Sequence, residues 1–278
     1  MEINKDIETL VALALKEDLG DKGDITVQAT IDERTIITAD MVAREDGIVA
    51  GTEIAKYVFN IIDPDINVTI QIADGECVKA KDCILRVSGN AQNILQAERT
   101  ALNFLTHLSG IATETARYVA AVEGTGTKIL DTRKTLPGWR LLQKHAVKMG
   151  GGKNHRMGLY DMVLIKDNHI EACGGVFQAL DKTKAANPDT KIEIEVDTLD
   201  QLQEVLDHGT ADIVLLDNMR GDTLKQAVTM CKGKIITEAS GGITFETIRT
   251  IAEAGVDYIS IGALTHSVKV FDIGLDIS

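Results

Sequence analysis

The segment from Thr132 to Tyr160 carries seven Lys and Arg residues and no Asp or Glu, although the whole chain has a formal net charge of -13. The seven cations are Arg133, Lys134, Arg140, Lys144, Lys148, Lys153 and Arg156. A solvated basic helix is one interpretation of such a charge run. Two histidines, His145 and His155, and the glycines 150–152 are interleaved with the cations. They favour a site that holds a small, highly charged anion.

Six short apolar runs in the second half of the chain each end in polar residues or glycine. These ends are Asp131–Arg133, Lys166–Asn168, Glu195 with Asp197, Asp217 with Asn218, Glu238 with Ser240, and Gly262. In a β/α barrel the carboxyl ends of the strands meet at the edge that carries the active site. For Asp197 or Asn218 taken alone, a helix-capping role is the favoured interpretation. The succession of six such ends predicts a polar site.

Two glycine-containing turns follow the last two of these runs, Ser240-Gly241-Gly242 and Gly262-Ala263. Barrels commonly bind phosphate at these loops through exposed backbone amides, and glycine removes the side chain that would hold the phosphate away. We therefore predict a phosphate cradle here. The glycine run from Lys148 to Lys153 is not a Walker loop, because no Ser or Thr follows its lysine. We interpret it as a flexible loop beside the pocket.

The apolar runs indicate how these residues are positioned. They are nearly continuous in Val, Ile and Leu, which is typical of parallel strands buried on both faces. Amphipathic segments lie between them, and one starts with a capping box at Thr198 and Gln201 and stops at Gly209. The pattern predicts an α/β fold whose catalytic part, residues 111–265, is an incomplete, six-stranded β/α barrel.

The first hundred residues have a different pattern. A helix-like ETLVALALKEDL precedes four strand candidates, IITADMVARE, GIVAGTEIA, INVTIQIAD and CVKAKDCILRVSG, with turns at Asp74-Gly75 and Lys81-Asp82. This section resembles half of a lipoyl-type hammerhead, and a long helix from Asn90 follows it. We predict an N-terminal α+β open-sheet domain at residues 1–110, with the tail 266–278 packing back on it.

Composition narrows the possible partners and cellular compartment. Hydrophobic residues make up 44% of the 278 residues and charged residues 26%, and no apolar run reaches the roughly 20 residues of a membrane span. The net charge argues against nucleic acid as a partner. The acidic, amphipathic N-terminus lacks the features of a secretory signal, so a cytoplasmic location is expected. The four cysteines lack metal-ligand spacing, and neither disulfides nor a zinc site is expected.

Motifs along the whole chain resemble those of the type II phosphoribosyltransferases, and specifically the quinolinate phosphoribosyltransferases. The matching motifs are EDLGDKGDIT, ERTALNFLTHLSGIAT, TRKTLPGWRLLQKHAVKMGGGKNHRMGLYDMVLIKDNHI, IEIEVDT, IVLLDNM, EASGGIT and YISIGALTHS. The resemblance implies transfer of phosphoribose from phosphoribosyl pyrophosphate to quinolinate in NAD synthesis. Decarboxylation then gives nicotinate mononucleotide.

The resemblance also implies residue roles. Arg133, His155 and Arg156 would bind the pyridine dicarboxylate, with Lys166 close to both substrates, and Thr132 would also belong to the substrate-binding residues. Bidentate pairing with carboxylates explains the arginines. Lys134 would offset charge on the pyrophosphate, and Lys134, Lys166, Glu195 and Asp217 form the catalytic set. Glu195 and Asp217 would hold Mg2+ and the ribose hydroxyls, since magnesium prefers oxygen ligands. Arg99 would reach the pocket of a neighbouring subunit, which implies a homodimer or a hexamer.

Other functions remain open at the level of sequence. Related phosphoribosyltransferase-like proteins are associated with molybdenum transport, and fold alone does not separate them. The hammerhead-like region could present Lys79 or Lys81 as the modified lysine of a non-enzymatic carrier. A barrel aldolase using Lys166 as a Schiff-base lysine is a further alternative. For the carboxylates Glu195 and Asp217, the alternative to metal binding is an ion pair with Lys166 or with a neighbouring arginine.

Overall fold

The computed structural model describes all 278 residues, and the chain divides into two compact units. The first unit comprises Met1–Ala116, Leu136–Gly151 and Leu264–Ser278, and the second comprises Arg117–Thr135 and Gly152–Ala263.

The helices are α1 (Lys5–Leu19), α2 (Ile25–Thr30), α3 (Thr52–Ile62), α4 (Ala91–Ala121), α5 (Arg140–Met149), α6 (Asp167–Cys173), α7 (Val176–Ala186), α8 (Leu199–His208), α9 (Gly221–Cys231), α10 (Phe245–Glu253) and α11 (Ala263–His266). The strands are β1 (Ile36–Ala43), β2 (Gly47–Ile48), β3 (Asn67–Ile70), β4 (Cys77–Val78), β5 (Cys83–Asn90), β6 (Lys128–Leu130), β7 (Val163–Ile165), β8 (Ile192–Val196), β9 (Ile213–Asp217), β10 (Ile236–Ser240), β11 (Tyr258–Ser260) and β12 (Ile273–Ile277).

The first unit is built on an open antiparallel sheet with the strand order β12-β1-β5-β3. β12, from the C-terminal tail, pairs with β1 from Ala39↔Ile277 to Ala43↔Ile273. The predicted turn at Asp74-Gly75 is present, with Gly75 at a positive φ of 88°, and so is the turn at Lys81, whose φ is 81°. The open-sheet prediction for this region is confirmed.

The segment GIVAGTEIA is the part of this region that was predicted wrongly as a strand. Only Gly47–Ile48 is extended, and α3 begins at Thr52. Gly51 adopts a left-handed φ of 100°, which turns the chain into the helix. Residues Ile54, Ala55, Val58 and Phe59 then form one fully buried helical face, so the period of burial here is that of a helix.

The second unit is built on a six-stranded parallel sheet with the order β6-β11-β10-β9-β8-β7. All six predicted strands are present, and the two edge strands β6 and β7 do not pair with each other, so the barrel is incomplete as predicted. Lys153 forms an isolated parallel bridge with Leu130 on the free edge of β6. Part of the glycine run that was interpreted as a flexible loop is thereby paired to the sheet.

The helices between these strands follow their predicted signals. α8 has the capping box at Thr198 and Gln201, and it ends at Gly209 in the left-handed conformation. Because Thr198 caps α8 and Arg220 occupies the N-cap of α9, neither Asp197 nor Asn218 is a helix cap. The capping interpretation of those two residues was therefore wrong.

The strand register decides which side chains share the inner face of the barrel. Glu195 on β8 pairs with Leu215 on β9, and Leu215 pairs with Glu238 on β10. In-register residues of parallel strands point to the same side. The opposite face carries the fully buried residues Ile192, Ile194 and Val196 against the helices. By alternation, Glu193, Glu195 and Asp217 face inward.

The cation-only segment, 132–160, is divided between the two units. Arg140, Lys144 and Lys148 lie on α5 in the first unit, whereas Arg133, Lys134, Lys153 and Arg156 belong to the barrel unit. α5 is not simply a solvated basic helix, because Leu142, Ala146 and Val147 are buried and Lys144 is only 1% exposed. Of the cations in this segment, Arg133, Lys134, Lys153 and Arg156 are therefore the ones that belong to the same unit as the barrel strands.

Candidate active site

The inward-facing residues at the carboxyl ends of the six barrel strands form a polar rim. They are Thr132, Lys166, Glu195, Asp217, Ser240 and Gly262. Each was selected from the sequence as a candidate, and each comes from a different strand. A site built from the ends of several rigid strands holds its groups in fixed relative positions.

Asp131 brings His155 and Arg156 to this rim, although they lie more than twenty positions further along the chain. The Asp131 carboxylate accepts hydrogen bonds from the backbone N–H of His155 at 2.8 Å and from Asn154 Nδ2 at 2.5 Å. Asp131 is fully buried, and its own backbone N–H donates to the carbonyl of Lys153. The segment that carries His155 is thus fixed alongside β6.

Arg133 and Arg156 form the basic part of the rim. Burial lowers the pKa of Arg156, and the positive charge of Arg133 lowers it further, whereas Glu193 and Asp161 raise it. The Nε of Arg133 is buried without a hydrogen-bond partner. Two neighbouring guanidinium groups, one with an unpaired buried donor, indicate a site for a carboxylate or phosphate ligand.

Carboxylates form the other side of the rim. Glu195 accepts a hydrogen bond from Lys166 Nζ at 2.5 Å, so the alternative of an ion pair between these two side chains is realised in this structure. Asp217 accepts a hydrogen bond from Asn218 Nδ2 at 2.6 Å. Burial raises the pKa of Asp197, and the charges of Asp217 and Asp167 add to that shift. These carboxylates repel one another and would be stabilised by a cation.

The turn after β10 has the backbone shape expected of a phosphate cradle. Gly241 and Gly242 have positive φ values of 88° and 52°. A Cβ on Gly241 would overlap the side chain of Asn218, which itself has a φ of 54°. The Arg220 guanidinium donates to the carbonyls of Met219 and Gly241 and so joins the loops after β9 and β10. The sequence analysis did not identify Arg220, because its role depends on two loops meeting.

His155 lies deeper than the rim. Its Nε2 is 2.8 Å from Glu193 Oε2 and 3.6 Å from Glu238 Oε2, and its Nδ1 accepts the backbone N–H of Arg156 at 2.8 Å. Glu193 and Glu238 are buried, with exposed fractions of 0% and 1%. Glu193 was missed from the sequence, and the signal that could have identified it is the acidic residue at alternate positions in IEIEV.

Two predicted residues are placed less directly. Lys134 is exposed, and its backbone N–H donates to Thr132 Oγ1 at 3.0 Å, which shapes the loop after β6. Arg99 lies on α4 in the first unit, where its side chain is 66% exposed and 3.9 Å from Glu98. The structure contains one chain, so the contact of Arg99 with a neighbouring subunit stays a prediction.

A separate cavity of about 770 Å³ lies at the amino ends of β9, β10 and β11. Its lining includes Lys232 and Lys234 but no arginine. Two of its acids are already used in the fold, because Asp212 accepts the backbone N–H of Ile192 and Asp257 that of Thr237. The carboxyl edge, where the arginines and the glycine turn lie, is therefore the better candidate site.

Two family models match almost the whole chain. The model described as quinolinate phosphoribosyl transferase, N-terminal domain, matches residues 24–109, and the corresponding C-terminal domain matches residues 111–276. The chain belongs to the quinolinate phosphoribosyltransferase family. The barrel edge described above therefore lies within the part of the chain that matches the C-terminal domain of the quinolinate phosphoribosyltransferases.

Individual relatives are similar over almost the whole chain. The nicotinate-nucleotide pyrophosphorylase (carboxylating) of Mycobacterium leprae is 45% identical over 95% of this chain and 94% of its own length. The chloroplastic enzyme of that name from Arabidopsis thaliana is 44% identical over 98% of this chain and 83% of its own length. The structure of the Francisella tularensis nicotinate-nucleotide pyrophosphorylase superposes with a TM-score of 0.96 at 42% identity, covering 100% of this chain and 98% of that one.

None of the helices is sufficiently long and apolar to span a membrane.

Proposed function

We propose that the carboxyl edge of the barrel is the active site of a quinolinate phosphoribosyltransferase in de novo NAD synthesis. The enzyme is a pentosyltransferase that joins quinolinate to the ribose of phosphoribosyl pyrophosphate and releases pyrophosphate and CO2. The observation that carries this proposal is the pair of arginines, Arg133 and Arg156, beside a carboxylate cluster and a glycine turn on one rim. Every group to be bound is an anion or a ribose hydroxyl, and the rim offers a partner for each.

Arg133 and Arg156 bind the two carboxylates of quinolinate. The buried Nε of Arg133 gains an acceptor when a carboxylate arrives, which removes an unsatisfied donor. Thr132 and Lys166 lie beside them on the rim, and Lys166 can contact both substrates. His155 supports this part of the site from below, since both of its ring nitrogens already have protein partners.

The phosphoribosyl donor binds to the remaining part of the rim. The backbone amides of Ser240, Gly241 and Gly242, together with Gly262 and Ala263, receive the 5'-phosphate. Arg220 holds the first of these turns in place. Lys134 offsets charge on the pyrophosphate as it leaves.

Glu195 and Asp217 are suitable ligands for Mg2+. They supply carboxylate oxygens, and the raised pKa of Asp197, caused by burial and by the charges of Asp217 and Asp167, indicates excess negative charge that a cation would relieve. When bound, Mg2+ would neutralise charge on the pyrophosphate leaving group.

The reaction needs positioning and charge stabilisation more than acid–base catalysis. The pyridine nitrogen of quinolinate has no proton to lose, so it attacks the anomeric carbon directly as the bond to pyrophosphate breaks. No general base is required for this step. The ring nitrogen is then cationic, and when the bond between carbon 2 and its carboxylate breaks and CO2 leaves, the positive charge stabilises the electron pair that stays on carbon 2. A proton replaces it at carbon 2, giving nicotinate mononucleotide.

The competing functions have less support from the contacts. Lys79 is ion-paired with Asp46 at 2.9 Å, and Lys166 with Glu195 at 2.5 Å. An ion pair favours the protonated amine, whereas a carrier lysine and a Schiff-base lysine both react as the free amine. The two neighbouring arginines, Arg133 and Arg156, suit a dicarboxylate substrate. They therefore favour quinolinate over a role like that of the molybdenum-associated proteins.

The assembly and location of the enzyme are also part of the proposal. Arg99 is exposed on α4 and reaches the pocket of a second subunit. The working unit is therefore a homodimer or a hexamer. A cytoplasmic location remains a prediction, and the relative from Arabidopsis thaliana is described as chloroplastic.

A turnover assay tests the activity. Purified protein, quinolinate labelled in the carbon-2 carboxylate and phosphoribosyl pyrophosphate should release labelled CO2 and form nicotinate mononucleotide in equal amounts. Chelation of divalent metal should stop both, and added Mg2+ should restore them. Nicotinate in place of quinolinate should give little product. No product from quinolinate in the presence of Mg2+ would contradict the proposal.

A further inference from the structure

Two carboxyl groups lie on the inner face of the barrel below the rim, where bulky apolar side chains are usual. Glu193 projects from β8 and Glu238 from β10, and β9 lies between these strands. Both side chains are essentially inaccessible to solvent. Burying two carboxyl groups costs free energy unless each has hydrogen-bond or charged partners. The partners of these two acids therefore indicate what the acids do. Neither residue belongs to the set of rim groups assigned to the substrates.

His155 is the partner that connects these acids to the rim. Its Nδ1 accepts the backbone N–H of Arg156 at 2.8 Å and must therefore carry a lone pair. The ring proton then lies on Nε2, which is 2.8 Å from Glu193 Oε2 and donates to it. Both nitrogens of the imidazole are therefore used within the protein.

Glu238 completes the arrangement behind Glu193. Burial raises the pKa of Glu238 to about 8, and the charge of Glu193 contributes to this shift, while His155 and a hydrogen bond with Ser260 oppose it. Glu238 Oε2 lies 3.6 Å from His155 Nε2, on the same ring nitrogen that contacts Glu193. Glu193 also raises the pKa of Arg156, which favours the charged form of its guanidinium.

We propose that Glu193 and Glu238 are positioning residues for the dicarboxylate site: they fix the His155 ring and, through its Nδ1, the backbone from which the Arg156 side chain reaches the rim. This inference rests on the proposed binding of quinolinate by Arg156. It gives His155 a role at the dicarboxylate site although both of its ring nitrogens have protein partners. It also explains why a barrel interior would retain two acids.

A metal ion is the competing occupant, since one oxygen or nitrogen from each of His155, Glu193 and Glu238 lies within 4.8 Å of the others. Metal binding would require a lone pair on Nε2, where the hydrogen bonds of His155 place a proton. The hydrogen-bonded arrangement is therefore favoured. Metal analysis of the purified enzyme distinguishes the two, because a stoichiometric ion that Glu193→Leu abolishes would overturn the proposal.

Three substitutions separate positioning from a general structural role. Glu193→Leu removes the acceptor for His155 Nε2 and should raise the KM for quinolinate roughly 10-fold, which corresponds to one lost buried hydrogen bond. The KM for phosphoribosyl pyrophosphate should change less than about twofold on the same grounds. Glu193→Gln keeps an acceptor oxygen and should recover most of the affinity. Glu238→Leu removes the second carboxyl group beside His155 Nε2 and should also raise the KM for quinolinate more than that for phosphoribosyl pyrophosphate.

Nitrogen NMR of His155 tests the arrangement without any substrate. The wild type should show a proton on Nε2 and none on Nδ1 at pH 7, with the signal assigned by its absence in His155→Asn. A proton on Nδ1, or equal rises of both KM values in Glu193→Leu, would overturn the inference. A wild type that does not convert quinolinate would instead overturn the proposed function and, with it, the substrate half of this inference.

Discussion

Arg133 is the residue whose removal should affect quinolinate binding most directly. Its buried Nε has no protein partner. Burial is the main cause that lowers the pKa of Arg156, and the nearby charge of Arg133 lowers it further. In the complex a carboxylate would pair with it in a partly desolvated site. Arg133→Ala should weaken quinolinate binding by about 2 to 5 kcal/mol, the range found for breaking a buried charge pair.

Calorimetric titration with quinolinate measures this loss. Arg249→Ala is the matched control, because Arg249 also belongs to the barrel unit but is exposed and paired with Glu253 on the surface of α10. Normal quinolinate affinity in Arg133→Ala would show that the arginine assignment is wrong.

Helix α3 depends on one aspartate from a distant turn. Asp74 Oδ1 accepts the backbone N–H groups of Gly51 and Thr52 and the Thr52 hydroxyl, and Oδ2 lies 2.8 Å from His145 Nε2. Burial alone would raise the pKa of Asp74, but the hydrogen bonds from His145, Thr52 and Gly51 outweigh it and bring the pKa to about 2. The ionised carboxylate thus replaces a conventional N-cap side chain for α3.

A lowered pKa means that the folded state favours the ionised form. The stabilisation is therefore complete above the unfolded-state pKa near 3.8 and is lost as the pH falls from about 4 to about 2. Asp74→Asn should reduce the free energy of unfolding at pH 7 by on the order of 2 kcal/mol. Urea unfolding at several pH values between about 7 and about 3 measures this free energy for both proteins. The difference between the variant and the wild type should shrink below about pH 4.

Asp46→Asn is the control for this helix, because Asp46 is exposed and its pair with Lys79 lies at the surface. Surface pairs contribute little to stability. An equal loss of stability in both variants, or a difference that is unchanged at low pH, would contradict the role assigned to Asp74.

At the scale of the whole molecule, the prediction concerns shared active sites. If Arg99 of one subunit completes the pocket of the next, Arg99→Ala and Arg133→Ala should each be inactive alone. After the two variants are unfolded and refolded together, mixed dimers contain one pocket with both arginines intact. Random mixing should restore about a quarter of wild-type activity, since half of the dimers are mixed and each has one good site of two.

The matched control mixes Arg133→Ala with Arg156→Ala, whose positions lie in the same barrel unit. No mixed dimer of that pair contains an intact pocket, so its activity should stay low. The absence of recovery in the Arg99 mixture, with dimers formed, would remove Arg99 from the active site.

The sequence by itself determined the six strands, the long helix α4 and the polar rim. Parallel strands buried on both faces read as continuous apolar runs, and their ends are local features that a linear pattern retains. For the same reason the candidates Lys166, Glu195, Asp217 and Ser240 were found. The capping box of α8 was equally readable, because all of its hydrogen bonds lie within a few residues.

Only the tertiary structure decided where distant segments meet. The cation-only segment is divided between two units, and α3 forms where a strand was expected because the burial of its apolar face depends on its surroundings. The cluster of His155, Glu193 and Glu238 depends on Asp131 fixing one segment to β6 and on the register of β8 and β10. These contacts span tens of residues, and hydrogen bonds across such separations leave no periodic signal in the sequence.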